Sequence, residues 1–143
     1  MKNVVNRLAL QTARETELID ITERVCALVA DAGVTGGVVH VVTQHTTTAI
    51  TVNEGLWCLE RDLQTRLERL IPDDDGYRHA RFLHSDGQMA VNAWAHLRGA
   101  LLGMHTLFPV EDGRAVLGAR QRIYFVELDG PQHRTCLIHV MGE

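Results

Sequence analysis

The sequence predicts a single-domain α+β fold with a largely antiparallel sheet, on three observations. Segments of strand character outnumber helical ones, the helices do not alternate regularly with strands as in a doubly wound fold, and the 143 residues hold neither a repeat nor a linker. A chain of this length buries roughly 70% of its unfolded surface, enough to fold without a disulfide or a structural metal. Its composition of 45% hydrophobic and 22% charged residues is that of an ordinary globular protein.

The elements follow in order. Val4, Val5, Arg7, Leu8, Leu10 and Thr12 alternate imperfectly and predict an opening strand. Thr16 offers a hydroxyl cap, and Leu18, Ile21, Val25, Leu28, Val29 and Ala32 recur at spacings of three and four, predicting a helix that Gly33 ends. The β-branched run Gly36 to Thr43 predicts a strand, polar Gln44 to Thr48 a bend, and Ala49 to Val52 the next strand. Leu56, Leu59, Leu63, Leu67 and Leu70 mark an amphipathic helix, stopped by Pro72 and the acidic turn Asp73-Asp74-Asp75-Gly76. Residues 77–90 are polar and without period, which predicts a long loop that crosses the surface or lines a pocket. Val91 to Leu102 predicts a short helix closed by Gly103, and Met104 to Val110, Gln121 to Leu128 and Arg134 to Met141 predict strands. The Glu111-Asp112-Gly113-Arg114 turn joins the first of these to Ala115–Leu117 as in a hairpin.

Charge and motifs exclude several classes of function. The formal net charge is −4, Lys2 is the lone lysine, and the arginines form no basic block, so a nucleic-acid surface is not expected. No stretch approaches the roughly 18 apolar residues that cross a bilayer, and no apolar leader follows the N-terminal charge, so a cytoplasmic protein off the membrane is expected. Cys26, Cys58 and Cys136 are odd in number and form no C-x-x-C pair, which suits reduced thiols packed as small hydrophobes. Phosphate-binding glycine loops and the serine hydrolase elbow are absent from the sequence.

The candidate chemistry lies in the histidines and their neighbours. His45 ends a strand, His79 and His84 lie in the long loop, and His96 lies on the short helix. Converging imidazoles suit a metal or a proton transfer, whereas each taken singly suits an ordinary surface or core position. Asn53 and Glu54 precede a helix, where they either cap it or face a ligand. Thr46, Thr47 and Thr48 present three neighbouring hydroxyls suited to phosphate oxygens, and threonine is equally a good strand residue. Arg98 follows His96 by two positions and points elsewhere on the helix, so the two share a ligand only if it reaches around. Glu127 and Asp129 share strand parity, but Asp129-Gly130-Pro131 reads as a turn.

Several separated stretches together resemble the YjbQ family, also called UPF0047. They are His45-Thr46-Thr47 with Thr51-Val52-Asn53-Glu54, Arg61-Asp62-Leu63, Tyr77-Arg78-His79, Asn92 through His96-Leu97-Arg98 to Gly103, Pro109 through Arg114, and Gln121 through Glu127 to Pro131. The resemblance implies one YjbQ-like domain over residues 1–143, a mixed, mostly antiparallel β-sheet sandwich with about three helices. It also implies a homotrimer whose pocket lies near subunit contacts. The activity it implies resembles that of thiamine-phosphate synthase, joining a pyrimidine pyrophosphate to a thiazole phosphate with release of pyrophosphate. The chain departs from the family pattern at Trp94, where many members carry a second histidine, at Arg120, where they carry Trp, and at Gln132, where they carry Arg.

These readings set out the expectations. His45, His96 and Glu54 are the expected catalytic groups; Thr46, Thr47, Thr48, Asn53 and Arg98 are the expected contacts to a phosphate or pyrophosphate ligand. His45, His79 and His96 are the expected ligands of a divalent metal, Mg²⁺ or Zn²⁺. Two other functions stay open: a non-catalytic oligomer that binds a phosphate metabolite or a metal, and a metal-dependent hydrolase.

Overall fold

The computed structural model describes residues 1–80 and 91–143 and shows an α+β fold of two antiparallel sheets. The elements are β1 (Lys2–Gln11), β2 (Glu17–Asp20), α1 (Thr22–Ala32), β3 (Gly36–Thr43), β4 (Thr48–Glu54) and α2 (Trp57–Leu70), then a 3-10 turn (Arg78–Ala80), α3 (Ala93–Leu102), β5 (His105–Glu111), β6 (Arg114–Ala115), β7 (Gln121–Glu127) and β8 (His133–Gly142). One sheet has five strands in the order β1-β8-β3-β5-β6, the other three in the order β2-β7-β4. Among the described residues no helix is long and apolar enough to cross a membrane.

Alternation places the core. Leu8 and Leu10 of β1, Val39 and Val41 of β3, and Ile138 and Val140 of β8 turn to one face and meet Ile50, Ile123 and Phe125 of the smaller sheet, with Val25 and Val29 of α1 packed among them. The far face of the smaller sheet is covered too, since Ala49, Tyr124, Val126 and Leu128 pack on Ala95 of α3. Cover on both faces explains why Ile123 to Glu127 are buried in unbroken succession where a one-sided strand would alternate.

Two expectations change. Residues 18–20 are strand, because Leu18 and Ile19 pair with Val126 and Phe125 of β7, and the helix starts only at Thr22. Asp20, one residue before the N-cap Ile21, covers the helix start instead of Thr16: its Oδ1 accepts from the Thr22 backbone N–H at 2.9 Å and its hydroxyl at 2.6 Å. The loop at 77–90 also carries some structure, the 3-10 turn that holds His79, while His84 lies outside the described residues. The remaining boundaries fall within two or three residues of expectation. Gly33 closes α1 in the left-handed conformation, and Asp112 and Gly113, at φ 48° and 75°, make the β5–β6 turn.

Candidate functional site

The short helix α3 sits unusually close to the smaller sheet, and that approach positions the site. A Cβ on Gly99 would lie 3.0 Å from the Thr48 carbonyl oxygen and 3.2 Å from that of Thr46, so the helix lies against the β3–β4 bend only because residue 99 has no side chain. Arg98, 2% exposed, fastens the other side of the helix: its Nε and Nη2 donate to the Ile71 carbonyl at 2.9 and 2.6 Å, and Nη2 reaches Asp73 at 2.7 Å. The guanidinium expected to hold phosphate instead ties α3 to the end of α2.

That fixed helix brings His96 to His79. The rings stand edge to face with centroids 5.2 Å apart, at the wall of a hollow of about 420 Å³ lined by Tyr77, Arg78, His79, Ala93, His96 and Leu97. His79 Nε2 lies 3.1 Å from Asn92 Oδ1, and Asn92 Nδ2 donates to Asp129 Oδ2 at 2.7 Å. A carboxylate only accepts, so the amide orientation is set by Asp129, and Asn92 Oδ1 must accept from His79. His79 is therefore the Nε2–H tautomer with Nδ1 as its lone-pair nitrogen. Burial, and next the neighbouring His79, lower the pKa of His96, with Asp129 pulling the other way. Both rings offer nitrogens for hydrogen bonding at the wall of the hollow. On the same helix, the buried Nε1 of Trp94 finds no acceptor among the described residues.

The other candidates are placed elsewhere. His45 sits in the bend and its Nε2 accepts the Thr135 backbone N–H at 3.0 Å, which latches the bend to β8. Burial and then Arg134 lower its pKa, against Glu127. Thr47 Oγ1 accepts from Arg134 at 2.9 Å, Thr48 Oγ1 donates to the His45 carbonyl at 3.0 Å, and both residues are buried, so two of the three hydroxyls belong to the bend itself. Thr46 is exposed. Glu54 and Asn53 occupy the opposite end of β4, six residues and about 20 Å from Thr48. There Glu54 pairs with Arg120 at 3.0 Å, and Asn53 Oδ1 accepts from the Glu54 backbone N–H at 2.8 Å.

The histidines expected to share a metal thus divide. Among the described residues no three or more His, Cys, Asp or Glu side chains are grouped to hold a metal ion, and His45 is not part of the hollow that His79 and His96 line. The residues present do not fit the expected Mg²⁺ or Zn²⁺ centre within one chain.

Sequence reasoning gave no role to Asn92 or to the Asp129 carboxylate behind it. Asn92 stands immediately before α3, where a cap is usual, but its amide makes no cap bond and spans His79 and Asp129. An asparagine at a helix start not followed by a capping partner was the available signal. The buried pair of Arg134 and Glu127 also went unassigned: Arg134 Nε and Nη2 each donate to a Glu127 oxygen at 2.7 Å, and Thr12 adds a third bond to the carboxylate at 2.9 Å.

Comparison with known proteins gives consistent results over nearly the whole chain. The family described as "UPF0047 protein YjbQ-like" matches residues 6–143. A UPF0047 protein of Archaeoglobus fulgidus is 41% identical over 94% of this chain and 98% of its own length. The UPF0047 protein YugU of Bacillus subtilis is 35% identical over 97% of this chain and 100% of its own. The crystal structure of a YbjQ-like protein of unknown function from Sulfolobus solfataricus superposes with a TM-score of 0.91 at 33% identity, covering 99% of each chain.

Proposed function

The chain belongs to the UPF0047 family of YjbQ-like proteins, and from that premise we propose that the His79–His96 hollow binds a small phosphate-bearing metabolite. The observation that carries this is the chain of bonds from Asp129 through Asn92 to His79, which fixes one tautomer and leaves Nδ1 as an acceptor beside His96. Arg78, at the same wall, supplies a cation for phosphate oxygens.

The finer form of the proposal is the transfer implied by the family resemblance. In it the thiazole nitrogen bonds to the pyrimidine methylene, and pyrophosphate leaves with the electrons of the broken C–O bond. That step consumes no proton and asks for donors on the leaving phosphates, which Arg78 and the ring of His96 at the same wall would provide. One observation favours binding without turnover instead: Glu54, the expected catalytic carboxylate, stands at the far end of β4. The assembly we propose is the homotrimer that the resemblance implies, supported by the exposed Leu97 and Leu101, one turn apart on α3 beside the hollow.

Calorimetric titration of untagged protein with inorganic phosphate and pyrophosphate tests the site, and supply of both organic substrates tests the transfer. Saturable binding that weakens at least tenfold in His96→Ala is expected. Binding that the His96 change leaves untouched removes the pocket from consideration, and binding without thiamine phosphate above the His96→Ala background leaves a non-catalytic module.

A further inference from the structure

A second group of histidines crosses the outer face of the five-stranded sheet. His105 of β5, His40 of β3 and His139 of β8 alternate with Phe108, Val39, Val41, Ile138 and Val140, which face the core, so all three point outward. His40 and His139 are direct cross-strand partners, and His105, opposite Val42, lies diagonal to His40. His40 Nε2 and His105 Nδ1 are 3.0 Å apart with their rings at 88°. His139 keeps its Nε2 on Asn3 Oδ1 at 2.6 Å. The function proposed above uses none of these residues.

The geometry points to a divalent transition-metal site in which His40 Nε2 and His105 Nδ1 are the two protein ligands and water completes the shell. Imidazole nitrogens sit about 2.0–2.1 Å from such an ion, so two of them at a right angle are about 3.0 Å apart, and at the tetrahedral angle about 3.4 Å. The His40 Nε2 to His105 Nδ1 distance of 3.0 Å, now spanned by a hydrogen bond, falls within reach of one such ion. Copper(II) is favoured over nickel(II) and zinc(II) by the general order of affinities of imidazole sites for divalent metals. The strands need not move, because turning the two rings brings their lone pairs together beside the line that one shared proton now occupies.

Proton balance is simple. The shared proton passes to the other nitrogen of its own ring, leaving His40 as the Nδ1–H tautomer and His105 as the Nε2–H tautomer, and neutral rings bind the ion without releasing a proton. Burial, followed by His105 and His139, lowers the pKa of His40 and so favours the neutral form that a metal needs. With no third donor grouped among the described residues, the site is an open chelate, accessible to exchange.

Calorimetric titration of the untagged full chain with copper(II), nickel(II) and zinc(II) salts at pH 7.5 in a non-coordinating buffer tests the site. One ion per chain is expected, tightest for copper(II), with affinity lowered at least tenfold by His105→Ala, by the more conservative His105→Gln and by His40→Ala. The His79→Ala variant should bind as the parent does, which separates this site from the phosphate pocket. The metal should also raise the melting temperature of the parent and of His79→Ala, but not of the His105 variants. Absence of binding by the parent, or binding that survives the His40 and His105 changes, overturns the assignment, as does loss in His79→Ala.

Discussion

His79 and His96 stand edge to face with ring centroids 5.2 Å apart, and His40 and His105 do the same at 4.9 Å, yet the two pairs spend their hydrogen bonds differently. The first pair makes its bond outward, from His79 to an amide held by Asp129, at the wall of a hollow. The second makes its bond inward, ring to ring, on an open sheet face. Nearly the same ring geometry thus accompanies a ring bonded to its supporting amide in one place and a shared-proton pair in the other. The difference comes from the supporting elements. A helix start brings an asparagine and a turn carboxylate behind His79, whereas the strands bring His40 and His105 to each other across the sheet.

The largest effect is expected from removing the buried ion pair that holds the bend beneath α3. Glu127, fully buried, holds Arg134 at the start of β8, and Arg134 in turn holds Thr47 in the bend on which α3 rests. Glu127→Ala leaves a buried guanidinium unpaired, at a cost of about 3–5 kcal/mol. Chemical denaturation should show the midpoint falling accordingly. A cost under about 1 kcal/mol would mean that solvent already reaches the pair.

A change at Asn92 should break one pair and spare the other. In Asn92→Ala, His79 loses the bond that selects its tautomer and Asp129 loses its donor, at about 1–3 kcal/mol. Pyrophosphate affinity should fall about tenfold or more, while metal binding at His40 and His105 should hold. Equal losses at both sites would show that the effect is global destabilisation rather than release of His79.

The sequence disclosed the fold far better than the site, and particular residues show why. The periodicity of Leu59, Leu63 and Leu67 or the alternation along β3 is a local signal, and burial follows it directly. Residues 18–20 misled because Leu18 and Ile21 fit a helical spacing, while pairing with β7, more than 100 residues away, decides the matter. Convergence is not local at all. His79 and His96 meet because Arg98 and Gly99 fix α3, whereas Glu54 and Thr48, six residues apart, are driven about 20 Å apart by the extended strand between them. Arg98 and Thr47, expected as ligand contacts, are buried and bonded within the fold, and the sequence carries no sign of that burial.

The smallest effect, and the finest comparison of the two pairs, is in the pH dependence of stability. Burial lowers the pKa of His96 in the pocket and of His40 on the sheet, in each case with help from the partner ring. A histidine whose folded pKa lies below the unfolded value of about 6.5 binds fewer protons when folded, so stability rises with pH between those two values. The contribution is complete above about pH 6.5 and is lost as pH falls through the window toward the folded pKa. Replacing His40 or His96 by Gln should each flatten that slope in denaturation midpoints taken from pH 7 down to pH 5. His40→Gln should in addition free His105 from its ring partner, whereas His96→Gln leaves His79 held by Asn92. Imidazole ring resonances followed by NMR should therefore change more at His105 in the first variant than at His79 in the second. The reverse order would mean that the pocket rings, not the sheet rings, are the more tightly coupled.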